Sequence, residues 1–132
     1  MPALNFMTQL APKILSGEKP FTLRALRKDG RDPQAGQPLY LFTAMRTKSC
    51  RKIAEKRCRF ATTIQLSWNF VSIPTLGTLV TKPQLESFSR LDVFDNYAGF
   101  CAFHEITAGM VAKPMRMIAW VTREELKVLL KI

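Results

Sequence analysis

Apolar and polar positions change period several times along this chain, and each change marks an element. Leu4-Asn5-Phe6-Met7 alternates and predicts a short first strand. After Thr8 and Gln9, Pro12 is suited to a first helical turn, Ile14 and Leu15 supply an apolar stripe, and Gly17 suits the residue past the end. That helix is barely two turns long. Phe21 to Ala25 returns to strand character. Residues 26–36 are polar, contain Asp-Gly and Asp-Pro steps, and predict a loop ending at Gly36. Pro38 to Thr43 is a dense β-type run without polar alternation, which predicts a buried strand. Arg46 to Lys56 is basic and has room for one helical turn around Cys50 to Ile53. Cys58 to Ile73 is rich in β-branched and aromatic residues and reads as one long strand, straight or bent into two.

The second half reads with more helix. Thr78-Leu79-Val80 has no decided period. Pro83 opens a helix with Leu85, Phe88 and Leu91 on one face, Phe94 as a further candidate, and Gly99 as its stop. A second helix is expected from Ala102 to Met110, blocked from continuing by Pro114, and Met115 to Trp120 reads as a late strand. Thr122-Arg123-Glu124-Glu125 is a capping box, in which each end's side chain takes the other's amide, so the last ten residues should be helical with Leu126, Leu129 and Leu130 inward. Strands early, middle and late with helices between them predict an α+β domain or a small mixed barrel. The 132 residues fit one domain, and 47% apolar content is enough for a core.

Composition then narrows the class. No apolar run approaches the ~20 residues needed to span a bilayer, and the start lacks a basic-then-apolar leader pattern. The expectation is a soluble, cytoplasmic protein without a membrane partner. Cys50, Cys58 and Cys101 are odd in number and widely spaced, which argues against a disulfide framework. With no Cys-x-x-Cys pair and a single His, no zinc site is predicted, and no cofactor or other metal is implied. Three reduced thiols, at least one in the core, is the expectation.

Charge changes the picture more. Twenty Lys+Arg against ten Asp+Glu give a net charge of +10. Eleven of those twenty bases lie between Arg24 and Arg59, against Asp29, Asp32 and Glu55. Such a segment suits a polyanion, RNA or DNA; its bland alternative is a solvated basic face. The segment lacks the apolar face of an interfacial membrane helix.

Gly17-Glu18-Lys19-Pro20-Phe21-Thr22-Leu23-Arg24 is the densest chemical signal. Lys19, Thr22 and Arg24 follow the short helix at spacings that let all three face one cavity. Their ordinary alternative is a solvated Lys19, a Thr22 filling a strand position, and an Arg24 paired with Asp29. His104 is either a site residue or a partly exposed structural histidine. Tyr40, Phe42, Trp68 and Trp120 could stack bases but are assigned mainly to the core; Tyr97 is the better stacking candidate. Met110, Met115 and Met117 are read as core filler.

The pattern Gly-x-Lys-x-x-Thr-x-Arg after a short helix, followed by a Gly and a buried strand (Gly36 to Leu41), resembles the ASCH family of PUA-like β-barrels. Phe94 to Phe100 is similar to that family's helix leading into Gly-Phe, and Met115 to Trp120 to its closing strand. Arg46-Thr47-Lys48 and Cys50-Arg51-Lys52 are similar to phage-type members. The resemblance spans about residues 4–120 and leaves the terminal helix, 121–132, outside it. It implies a small PUA-like mixed β-barrel with flanking helices and a partner that is RNA, a nucleoside or a nucleotide. It also implies three possible activities: binding alone, deacylation of N4-acetylcytidine by a Lys, a Thr and an acid, or ribonuclease action. Lys19 and Thr22 match the catalytic pair and Arg24 the motif's terminal Arg, whose fork of donors can hold a phosphate or a base carbonyl. The acid should stand just before Gly99-Phe100, where this chain has Ala98; Asp95 and Glu105 are the substitutes. Arg46, Lys48, Arg51 and Lys52 are candidates for the RNA backbone, with Tyr97 for a base. Outside the resemblance, a basic module docking an acidic protein is a further reading.

Overall fold

The computed structural model describes residues 3–132. Its elements run β1 (Ala3–Phe6), α1 (Ala11–Leu15), β2 (Phe21–Arg24), β3 (Pro38–Thr43), β4 (Arg51–Arg57), β5 (Phe60–Leu66), β6 (Val71–Ile73), β7 (Gly77–Leu79), α2 (Lys82–Leu91), α3 (Tyr97–Phe103), β8 (Lys113–Ala119) and α4 (Arg123–Leu130). A 3₁₀ turn over Thr8–Leu10 leads into α1. The class is α+β. The strands form two sheets, in the orders β1-β3-β4 and β2-β8-β5-β6-β7, and do not close into one hydrogen-bonded barrel. β1 pairs parallel with β3, and every other pairing is antiparallel.

Alternation along β2, β5 and β8 gives the larger sheet two buried faces. Phe21, Leu23, Ile64, Leu66, Met115, Met117 and Ala119 point to one core, completed by Leu85 and Phe88 of α2, Phe100 of α3 and Leu126 and Leu130 of α4. Ile118 points to the other, with Leu4 and Phe6 of β1, Ile14 of α1 and Leu39 and Leu41 of β3. The five-stranded sheet is thus a partition, with α2, α3 and α4 on one side and α1 with the three-stranded sheet on the other.

Several expectations change. The basic stretch holds no helical turn at Cys50 to Ile53: Arg51 to Arg57 is strand β4, paired with β3 through a register shift at Leu41/Phe42. No 3.6-residue apolar stripe supports a helix there, and charged side chains suit the unpaired side of an edge strand. The long Cys58–Ile73 run folds back as the β5–β6 hairpin, with the Ser67 amide donating to Phe70 O at 2.9 Å. Leu129 and Met110 are exposed, at 41% and 43%, whereas Met115 and Met117 are buried. Of the three free thiols, Cys58 and Cys101 are buried and Cys50 is exposed.

The helix ends differ most. α2 stops at Leu91 and not at Gly99, and Gly99 lies inside α3, where the Asn96 side chain takes its amide at 2.7 Å. Both helices close the same way. Past α2, the Val93 amide donates to Arg90 O and the Phe94 amide to Ser89 O; past α3, Glu105 donates to Ala102 O and Ile106 to Cys101 O. This is the Schellman pattern, whose left-handed residue is usually glycine. Here it is Val93 (φ 65°) and Glu105 (φ 58°). The residues half inside each helix at these two ends are Asp92 and His104.

Candidate functional site

Two edge strands leave a seam. β1 ends the small sheet and β2 ends the large one, and the 3₁₀ turn with α1 connects them. A cavity of about 220 Å³ lies along that seam. One wall is Asn5, Phe6, Met7 and Leu10; the floor is Lys19, Thr22, Leu23 and Arg24; the other wall comes from the two helix ends, with Asp92, Val93, Phe94, Phe103 and His104. The volume lies below the ~300–1,000 Å³ of pockets for drug-sized ligands, the scale of one base or nucleoside group.

Lys19 is placed by the turn that reverses α1. Gly17 takes φ 84°, a conformation that favours glycine, and the Lys19 amide returns to Lys13 O at 3.1 Å. The side chain is then buried, 3% exposed, and Nζ donates to Asp92 Oδ1 at 2.5 Å. Asp92 is brought there by the end of α2, where the helix carbonyls also favour a cation. On its other side, Asp92 Oδ2 lies 3.8 Å from His104 Nε2. A buried ion pair of this kind is weak evidence for stability, because desolvation offsets much of its attraction. Paired with backbone strain at Val93, a β-branched residue held left-handed, it is the signature of a site whose geometry matters.

Arg24 spans the seam. Its Nη2 donates to Asn5 O at 2.6 Å, and its Cζ sits 4.7 Å from the centre of the Phe6 ring. Burial pulls the guanidinium below its ordinary pKa, opposed by the charge of Asp92. Arg24 Nε and His104 Nε2, both buried, have no hydrogen-bond partner among the described residues. Leaving such a group unpaired costs ~1–3 kcal/mol, so two of them in one cavity ask for a polar ligand.

Lys19, Thr22 and Arg24, predicted from spacing, are brought together. The substitutes for the missing acid are not. Asp95 is exposed, lies outside the cavity lining and lines an adjoining surface recess with Lys13, Glu18 and Arg90, which shares Val93 and Phe94 with the cavity. Glu105 is exposed and lies outside the cavity lining, because the left-handed turn after His104 carries it away. The acid that touches Lys19 is Asp92. Tyr97 lies outside the cavity lining: it is buried, its ring stacks on Phe100 at 5.4 Å, its hydroxyl donates to Ser67 O at 2.5 Å, and burial pushes its phenol pKa up. Arg24 does not pair with Asp29, which pairs with Arg27. Arg46, Lys48, Arg51 and Lys52 are exposed and lie outside the cavity lining; Lys52 pairs with Glu55. Trp68 is half exposed at the β5–β6 turn.

Asp92 and Phe103 carry no site signal of their own in the sequence, and His104, open between a site residue and a partly exposed structural histidine, is 7% exposed in the cavity wall. The signal that could have found Asp92 is its place directly after the Leu85-Phe88-Leu91 stripe. Among the described residues no group of three or more His, Cys, Asp or Glu is arranged to hold a metal ion. No helix among them is long and apolar enough to cross a membrane.

Searches of family models, curated proteins and solved structures give no match to this chain.

Proposed function

We propose that this protein is an RNA- or nucleotide-binding domain of the ASCH type, on a PUA-like fold left open along the β1–β2 seam. The cavity takes one base or nucleoside group, and the basic segment 46–59 takes the phosphate backbone. The observation that carries this reading is the convergence of Lys19, Thr22 and Arg24 on one cavity with two unpartnered nitrogens. The motif alone left open a solvated Lys19, and its burial argues against that. Binding of a short fluorescein-labelled single-stranded RNA, followed by anisotropy at low salt, tests it. The expected result is saturable binding that weakens in Lys19→Ala and Arg24→Ala and falls steeply with salt. Absent binding, or unchanged affinity in both variants, overturns the reading. Equal affinity for heparin and RNA would favour a basic module for acidic partners instead.

A second reading is favoured by Asp92. An amide hydrolase acting on N4-acetylcytidine needs a nucleophile, a base and a proton for the departing amine. In this reading Lys19 passes a proton to Asp92 across their 2.5 Å contact, and the resulting amine takes the Thr22 hydroxyl proton as Oγ1 attacks the acyl carbon. The proton on Asp92 goes to the leaving nitrogen, and water then releases acetate from Thr22. Incubation with N4-acetylcytidine and detection of cytidine by mass tests it. No turnover, or full turnover in Thr22→Ala or Asp92→Asn, sinks this mechanism.

A further inference from the structure

We propose that Phe103 and His104 grip the ligand: His104 Nε2 bonds the polar edge of a planar ring while the Phe103 ring covers its face. This rests on reading the cavity as a base-binding site and adds two residues to it.

Phe103 and His104 are consecutive at the end of α3, yet they part company. His104 is 7% exposed, and Phe103 is 59% exposed, though both line the same cavity. The imidazole is held on three sides by aromatic rings: Phe100 at 4.6 Å, Phe103 at 5.1 Å and Phe94 at 6.0 Å between centroids. Its backbone carbonyl accepts from Lys113 Nζ at 2.8 Å. A ring so enclosed by apolar neighbours would be filled more simply by phenylalanine or leucine. Nε2 is nevertheless buried, stands 3.8 Å from Asp92 Oδ2, beyond hydrogen-bond reach, and has no partner among the described residues. The nitrogen is thus left without a hydrogen-bond partner beside the cavity, where a ligand group could supply one.

Phe103 supplies the complementary half. Its ring packs at 5.3 Å and 54° on Phe94, so it is braced while much of it remains open. Met7, 51% exposed, belongs to the opposite wall. A flat heterocycle entering between the walls meets the half-exposed Phe103 ring and the polar groups of the cavity lining: His104 and Asp92 of the helix-end wall and Arg24 and Lys19 of the floor. Every base presents a π-face, so the stacking half is tolerant, and the polar half supplies orientation.

The test uses the labelled RNA and the free ribonucleosides, the latter to distinguish a base within a strand from a small ligand, with wild type, Lys19→Ala, Phe103→Ala, His104→Phe and His104→Gln compared for affinity and thermal stability. His104→Phe should weaken binding about tenfold, the scale of one lost hydrogen bond, while keeping or raising the Tm because an unpaired nitrogen has gone. His104→Gln, which keeps a donor, should recover part of the affinity even if its packing is worse. Phe103→Ala should weaken binding about tenfold with an unchanged Tm. A lower Tm in His104→Phe with wild-type affinity would make His104 structural and overturn the proposal, as would wild-type affinity in Phe103→Ala. If wild type binds, Lys19→Ala weakens it and the Phe103 and His104 variants do not, the base site stands without this grip. If wild type binds none of the probes, both fail.

Discussion

Two regions of this molecule carry positive charge, and they treat it in opposite ways. In the seam, Lys19 is 3% exposed and holds a single carboxylate, Asp92, at 2.5 Å. On β4 and the turn before it, Arg46, Lys48, Arg51 and Lys52 stand in solvent, on a strand that pairs only with β3 among the described residues. A charge taken out of water keeps its place only if its partner is fixed, so the seam demands precise backbone, down to the left-handed Val93. A charge in water needs no fixed partner and is screened beyond about 10 Å in ordinary salt. The seam can orient one group; the strand can attract a polyanion without orienting it. Net charge alone, which is the same for both, would not have separated them.

The largest test of this contrast removes Asp92. Asp92→Ala leaves the Lys19 ammonium buried without its partner, and should cost about 3–5 kcal/mol in urea unfolding. Replacing both, Lys19→Met with Asp92→Leu, should recover most of that loss, because neither charge then needs burying. A double variant no more stable than Asp92→Ala would mean that the pair is not the source. By contrast, Arg51→Ala with Lys52→Ala should shift stability by no more than about 0.5 kcal/mol.

The same two sets should separate in binding. Lys19→Ala is expected to weaken RNA binding at every salt concentration with little change in slope. Arg51→Ala and Lys52→Ala should each flatten the plot of log affinity against log salt by about 0.7, the increment for one phosphate contact on a single strand. An unchanged slope in the double variant would take the β4 surface out of the interaction. Tyr97 lies between the extremes. Its hydroxyl bonds Ser67 O inside the core, so Tyr97→Phe should cost about 1 kcal/mol of stability and leave binding untouched. A lost affinity there would restore Tyr97 as a contact to the base.

What was legible in the sequence follows from where information is local. The β1 reading rests on a short period, β3 on a dense β-type run and α4 on a capping box, and the structure has both Thr122–Glu125 hydrogen bonds. Lys19, Thr22 and Arg24 share a short segment, so their convergence was readable from spacing. Asp92 was not, because it meets Lys19 across 73 positions. The helix boundary that exposes it is hidden: Val93 and Glu105 stand where a glycine usually marks the end, so the sequence pattern runs α2 on to Gly99 and places His104 inside a helix from Ala102 to Met110, where the structure ends α3 at Phe103. β4 is not legible because its apolar residues, Ile53 and Ala54, are adjacent and not alternating: Ile53 is the extra residue of a bulge in β4 between the Leu41–Ala54 and Phe42–Lys52 pairs.

The smallest expected effect is on the exposed carboxylates, the surface counterparts of Asp92. Hydrogen bonding to Lys13, and then that lysine's charge, hold Glu18 below its ordinary pKa of 4.5. Hydrogen bonds from Thr122 do the same for Glu125. A carboxyl whose folded pKa is depressed stabilises the protein fully above its unfolded value and loses that contribution as pH falls through the folded one. The Tm should therefore decline as pH drops from about 5 toward 3, and the two groups should part company in salt. At about 1 M salt, where screening acts within ~3 Å, the charge component of Glu18 should fade. The Thr122–Glu125 bonds, local to a helix start, should persist. Glu125→Gln keeps a capping-box residue at that position and removes its titration, so its Tm should lie slightly below wild type near neutrality, fall less in acid, and converge with wild type there. An acid decline identical in wild type and Glu125→Gln would remove this surface carboxylate from the account and leave the acid response to Glu18 and other carboxyls.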